Sequence, residues 1–324
     1  MSLWMARSRG ERPENWRMPR PPSPLPTELS ETFTVREALA LGIPPGRLHR
    51  ADLHAPYNGV RMPTISAFAP GPMDACLAYA PRMKAWQFYS HEIALMATGA
   101  PMPEWPYRPR IHVSAHRPAR EPRTAGIIGH RLQLREPATI TSREGLRIEH
   151  PVRAWRQVGT LWRLDDLIAA GEFLVSGDSP IASIDDLRAE IHLMGDVPGA
   201  LLQRALSEIR VGPRSPRETR LRLALVRAGL PEPEINWTLR STRGLFVAEV
   251  DLAYPRWRVA PEYDGRVHAE DAAQFAKDAD RWDRIRAEGW DHVRVLNHHM
   301  KGGGAAAVRK VREALLRAGW HQSR

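Results

Sequence analysis

Two consecutive segments, Phe246-Val-Ala-Glu-Val-Asp-Leu-Ala253 and Trp257–Asp264, interleave apolar residues with acids and are joined only by Tyr254-Pro255-Arg256. Side chains alternate between the two faces of a strand, so this pattern predicts two neighbouring β-strands with a tight turn between them. Glu249 and Asp251 then share one face of the first strand, and Glu262 and Asp264 share one face of the second. If Asp251 and Glu262 face the same side of the sheet, three or four carboxylates converge. Close like charges raise one another's pKa unless a cation compensates, and hard oxygen donors of this kind suit Mg²⁺ or Mn²⁺. The competing reading is the solvent-facing side of a hairpin. The apolar residues interleaved in both strands argue against it, as does Gly265, which ends the second strand and allows close approach of a backbone or a substrate.

The flanking sequence extends this pair into a domain. Ser215-Pro-Arg-Glu218 opens a helix with Ser215 as cap and Pro216 at the first helical position, and Gly229 follows its end. Glu218, Leu221 and Leu225 lie on one side, which aims the carboxylate inward, although the acidic half of a capping box would account for it equally well. After the strands come His268 and an amphipathic helix over Ala272–Glu288, with Gln274, Lys277 and Arg281 on adjoining turns. A Gly289-Trp290 break then leads to a strand over His292–Leu296, and a last helix spans Ala305–Ala318. Helix, strand, strand, helix, strand, helix is the order of the core shared by restriction-type nucleases.

The N-terminal part reads differently. Residues 1–29 carry six prolines and five arginines with few apolar residues, the composition of a mobile basic tail. Thr34-Val-Arg-Glu37 is a capping box, Gly42 stops the helix, Pro44-Pro45-Gly46-Arg47-Leu48 turns into a second short helix, and Asn58-Gly59 marks a hairpin. Helix, turn, helix and β-wing describe a winged helix-turn-helix, which would place Arg47, His49 and Arg50 in the major groove and Arg61 on the wing. A helical hairpin that only packs on its neighbour is the alternative. Residues 64–210 read as a mixed α+β region. Its helices start near Asp74, Ser90, Val152, Asp165 and Ile184, and its strands cover Ile111–Ala115 and Gly126–Leu134. His91, His112 and His130 fall here and, taken one at a time, read as surface or hydrogen-bonded residues. The expected organisation is therefore a tail over 1–29, a winged helix over 30–63, a middle region over 64–210 and an α/β domain over 211–324.

Composition narrows the partners. Of 47 basic residues four are lysine and 43 arginine, against 37 acids, for a net charge of +10. Part of that skew can come from GC-rich codon usage. The remaining positive field attracts polyanions, nucleic acid first. No run approaches the ~18 apolar residues of a membrane span, and the first residues lack the apolar stretch of a secretion signal. Cys76 stands alone, which excludes an intrachain disulfide and any cysteine-rich zinc site. A cytoplasmic protein with no membrane partner is the expectation.

The segments Ser215–Pro233, Val250-Asp-Leu-Ala-Tyr-Pro255, Glu262-Tyr-Asp-Gly265 with His268, and Gly289-Trp290 with Val293-Arg294-Val295 resemble bacterial proteins whose C-terminal domain is similar to the very-short-patch-repair endonuclease. That domain belongs to the PD-(D/E)XK nuclease superfamily. Phe33–Arg61 resembles the AbiEi-type winged-helix antitoxin domain that often precedes it. The resemblance implies a Mg²⁺- or Mn²⁺-dependent hydrolase of DNA phosphodiester bonds, acting in repair or defence. Asp251 and Glu262 would be metal ligands with Asp264 beside them, Glu218 an auxiliary acid, and His268 or Lys277 the group that assists the water. Two departures stand out: Asp264 occupies the position of the superfamily lysine, and Pro261 removes a ladder donor from a central strand. They leave open a second expectation, a DNA-binding regulator or antitoxin that keeps the nuclease-like domain as an inactive scaffold. A third is that the acid cluster and basic tail serve only protein association.

Overall fold

In the computed structural model, which describes residues 22–64, 71–193, 197, 199–264 and 272–321, the chain divides into two units, Met1–Arg82 and Met83–Arg324. Both mix helices with sheets. Residues 1–21 of the expected tail lie outside the described residues. No helix among the described residues is long and apolar enough to cross a membrane.

The first unit starts from the capping box. Strand β1 (Phe33–Thr34) leads into helix α1 (Val35–Ala40), whose Glu37 N–H donates to Thr34 Oγ1 at 3.1 Å while the Thr34 N–H donates to Glu37 at 2.7 Å. Gly42 takes a positive φ of 78° just past the helix end, a conformation that favours glycine. The expected second helix is only a 3₁₀ turn, Pro45–His49. Pro44 and Pro45 supply no N–H and Gly46 adds backbone entropy, so the segment cannot propagate an α-helix. The hairpin around Asn58-Gly59 is present: β2 (Leu53–His54) and β3 (Val60–Pro63) pair antiparallel, and β3 also pairs with β1. Phe33, Ala38, Ile43 and Leu48 fill the small core beneath. Helix α2 (Pro72–Tyr79) belongs to this unit.

The second unit contains both the middle region and the C-terminal α/β segment. Strand β4 (Gln87–Tyr89) is followed by helix α3 (His91–Ala97) and by β5 (Ile111–His116), β6 (Ile127–Leu132), β7 (Ile140–Thr141) and β8 (Arg147–Ile148). They form one sheet in the order β6-β5-β4-β8-β7. Four helices follow: α4 (Pro151–Gln157), α5 (Leu164–Val175), α6 (Ile184–Leu193) and α7 (Gly199–Glu208).

Helix α8 (Pro216–Arg227) opens the C-terminal segment. Strands β9 (Glu234–Arg240) and β10 (Phe246–Ala253) pair antiparallel, and β11 (Val259–Asp264), α9 (Ala272–Ala287) and β12 (Asp291–Leu296) form a parallel crossover ended by α10 (Ala305–Arg317). One apolar cluster packs Leu221 and Leu225 of α8 and Val311 and Leu315 of α10 on Val259, Val293 and Val295, and a second joins Val250 and Ala260 to Ile285 of α9.

Helix α5 is bound to α8 by a buried ion pair. The Arg222 guanidinium donates to Glu172 at 2.6 Å, to the Glu208 carbonyl at 2.6 Å and to Glu232 at 2.9 Å. Glu172 also accepts from the Thr219 hydroxyl at 2.6 Å and the Arg210 N–H at 2.9 Å. The Glu172 and Arg222 side chains are each 1% exposed.

Candidate active site

Pro261 shapes the seam between β10 and β11. In a strand alternate N–H groups point the same way, so the row toward β10 consists of Val259, Pro261 and Tyr263. The Val259 N–H reaches the Tyr254 carbonyl at 3.4 Å, and Pro261 has none to give. The Tyr263 N–H donates to the carboxylate of Asp251 at 3.1 Å, in place of a backbone carbonyl. The proline thus opens the ladder, and the acid closes it again one pair further on.

Asp251 is crowded there. Burial, then the charges of Glu218 and Glu262, push its carboxyl up to about 7, against the weaker pull of the Tyr263 N–H and Arg281. Glu218 points inward from the first turn of α8, only 9% exposed. Its N–H donates to Ser215 Oγ at 3.2 Å, but its carboxylate accepts from the Arg214 N–H at 2.9 Å, so the reciprocal half of a capping box is not made. Arg214 also pairs with Glu249, the other acid on the Asp251 face.

The second strand's acids are held by fixed cations. Arg281 of α9 grips Glu262 with one nitrogen at 2.8 and 2.9 Å from the two carboxylate oxygens, and His292 Nε2 lies 3.0 Å from the second. Burial alone would raise the Glu262 carboxyl, but the His292 hydrogen bond and Arg281 outweigh it and hold it below the ordinary range. Asp264 is tied to Arg294 at 2.6 Å. Of the six residues expected to act in catalysis, Glu218 and Glu262 lie near enough to Asp251 for their charges to raise it, but the three do not bring their oxygens within 4.8 Å of one another, and Asp264 is tied to Arg294. His268 and the side chain of Lys277 lie outside the described residues.

The expected DNA-contacting residues divide as well. Arg47 is committed inside its own unit, donating to Asp52 at 2.7 and 3.0 Å and to the Ser23 carbonyl at 2.7 Å, with its side chain 8% exposed. Arg61 donates to the carbonyls of Leu48 at 2.7 Å and Val60 at 2.8 Å. Both brace the module and have little left for a base edge. His49 and Arg50 are exposed.

One group escapes residue-by-residue reading. Among the described residues, the one set of three or more His, Cys, Asp or Glu side chains with ligand atoms all within 4.8 Å of one another is His91, His112 and His130. Ser114 on β5 pairs with His130 on β6, and the ring of His112, two residues earlier on the same face, stands beside it. Alternation could have put His112 and Ser114 on one face. The parallel pairing that brings in His130 has no local signature.

No known protein family matches this chain, and no solved structure matches it. Two curated proteins are similar over 82 residues at 30% identity, both described only as uncharacterized: one from Mycobacterium tuberculosis strain CDC 1551 / Oshkosh and one from strain ATCC 25618 / H37Rv. The matched stretch is 25% of this chain and spans about 30% of the length of each relative.

Proposed function

We propose that the chain is a DNA-directed phosphodiesterase, endonuclease-like and dependent on Mg²⁺ or Mn²⁺, whose reactive centre is Asp251 with Glu218 and Glu262. The observation that carries this reading is the Asp251 carboxyl, pushed up to about 7 by burial beside two other acids. Such crowding is relieved by a hard divalent cation. Asp251 and Glu218 would hold it, and Glu262 joins them only by exchanging Arg281 for the ion. When bound, the ion polarises a phosphate and lowers the pKa of a water. The order α8-β9-β10-β11-α9-β12-α10 and the resemblance of residues 215–295 to the repair-endonuclease-like domain support the same class. The net charge of +10, with His49 and Arg50 exposed on a unit resembling a winged helix, supports DNA as the partner.

Supercoiled plasmid incubated with the full chain and Mg²⁺ or Mn²⁺ is expected to be nicked. Asp251→Asn and Glu262→Gln should each slow nicking by about 100-fold or more, since even partners behind a metal ligand are worth ~10–100-fold. Absence of nicking by wild type, or equal nicking by the variants, sinks the proposal.

A second reading is favoured by the arginines on Glu262 and Asp264, fixed cations that neutralise both acids without any ion. It makes the chain an operator-binding regulator or antitoxin with the α/β domain as scaffold. Gel shifts would then be sequence-specific, weakened by Arg50→Ala and indifferent to Asp251→Asn.

A further inference from the structure

We propose that His91, His112 and His130 bind a borderline transition-metal ion, Zn²⁺ first, with three imidazole nitrogens and a fourth position left open. The site is distinct from the carboxylates of β10 and β11 and is assembled from the start of α3 and the adjacent strands β5 and β6. His112 Nδ1 lies 2.8 Å from His130 Nε2, and the His91 ring lies 4.1 Å from that of His130 and 4.6 Å from that of His112, centroid to centroid. Three unlike backbone positions have thus brought three good nitrogen donors within 4.8 Å of one another, and the His91 ring, stacked on that of His130 at 25°, must turn for the two to share an ion. His112 is buried and His91 nearly so, whereas His130 is half-buried and gives a way in from solvent.

The surroundings favour an ion over a plain hydrogen-bond cluster. His112 Nε2 is buried without a hydrogen-bond partner, an arrangement that proteins generally avoid. It faces Glu92 Oε1 at 3.9 Å, and Glu92 is itself fixed by the Tyr107 hydroxyl and the Arg110 N–H. A carboxylate behind a histidine is the usual support of a metal-bound imidazole. On binding, the proton held between His112 Nδ1 and His130 Nε2 must leave, and a shift to His112 Nε2 balances the step while giving Glu92 its donor. Four-coordinate zinc with bonds of about 2.0–2.1 Å sets its nitrogens roughly 3.3 Å apart, so the ion needs the hydrogen-bonded pair to open by about half an ångström.

His91 is held for the same purpose. Its φ is 53°, in the left-handed region that a non-glycine residue seldom adopts without being fixed by its neighbours. Its N–H donates to Gln157 Oε1 at 3.0 Å and its Nδ1 lies 2.8 Å from Ser90 Oγ, which in turn accepts from Ser114 at 2.7 Å. Ser90 therefore spends its hydroxyl on orienting the imidazole and makes no side-chain cap to α3. Burial first, with the neighbouring rings for His91 and His112, keeps the three imidazoles below their ordinary pKa, neutral and able to donate lone pairs.

The test uses the full chain stripped with a chelator and titrated with Zn²⁺, followed by calorimetry, by metal content after dialysis and by melting temperature. One ion per chain retained through dialysis by the histidines, apart from any weaker ion at the carboxylates, and a raised melting temperature are expected, with Co²⁺ giving the visible absorption of a four-coordinate nitrogen site. His130→Gln, at a half-buried position, and His91→Asn, a residue tolerated at positive φ, should each weaken binding by about 100-fold or more, with metal-free circular dichroism unchanged. Asp251→Asn, at the carboxylates of β10, and the pair His298→Gln/His299→Gln, two adjacent rings 4.0 Å apart in the turn after β12 that offer imidazole nitrogens elsewhere, should leave uptake at this site intact. The proposal is overturned if no stoichiometric zinc is retained, if the ion survives both His91→Asn and His130→Gln, if it is lost with Asp251 or with His298 and His299, or if Mg²⁺ displaces it.

Discussion

Arg222→Met is expected to lower the unfolding free energy of the Met83–Arg324 unit by about 3–5 kcal/mol, the usual cost of leaving one member of a buried ion pair alone. The guanidinium serves two carboxylates and a carbonyl at 2.6–2.9 Å, and removing it strands Glu172 in a site where the side chain is 1% exposed. Burial already pushes the Glu172 carboxyl up despite Arg222, so part of the loss appears as proton uptake by Glu172. The double variant Glu172→Leu/Arg222→Met, in which no charge is left unpaired, should recover most of the loss. Urea unfolding followed by tryptophan fluorescence measures both. A single-variant loss under about 1 kcal/mol would show that water reaches the pair.

Asp251→Asn should remove a pH dependence. The wild-type carboxyl titrates at about 7 when folded, against an ordinary 3.8, so the folded chain keeps a proton that the unfolded chain has already lost. The stability this proton contributes is complete below about 4 and is lost as pH rises through 7. Three pKa units correspond to a decline on the order of 4 kcal/mol. Asparagine keeps an acceptor for the Tyr263 N–H without the charge. The variant should therefore match wild type near pH 4 and exceed it at pH 8. If the proposed hydrolase reading is right, millimolar Mg²⁺ narrows the gap at pH 8 by binding the wild-type acid. Parallel pH profiles for the two proteins would refute the crowding itself.

Where sequence and structure agree, local chemistry decides the element. Strand β10 spans the residues its alternation marks, Phe246–Ala253, and α1 starts at the reciprocal Thr34 and Glu37 bonds. β11 begins at Val259 rather than Trp257, because Pro255–Trp257 winds into a 3₁₀ turn and Arg258 takes a positive φ of 49°. β9 is absent from the elements expected from sequence although its residues alternate, with Ile235, Trp237 and Leu239 on one face and Glu234, Asn236, Thr238 and Arg240 on the other; the structure shows it as a strand paired with β10. At the site, alternation correctly places Glu249 and Asp251 together, but it cannot show that Arg281 and Arg294, from α9 and β12, reach back to Glu262 and Asp264. Those contacts cross 19 and 30 residues of chain. The pairing of Arg47 is hidden for a related reason: a basic residue in a turn looks free until its acid, Asp52, folds beside it.

The acid and the base that join α5 to α8 come from either side of residue 211, where the pattern of sequence elements suggests a border. A fragment cut there would carry Arg222 away from Glu172 and Glu208 and expose a surface built for interior use. Grafting the C-terminal layer onto another protein would thus require importing α5 and α7 with it, so shuffling of this architecture is constrained to pieces that begin well upstream.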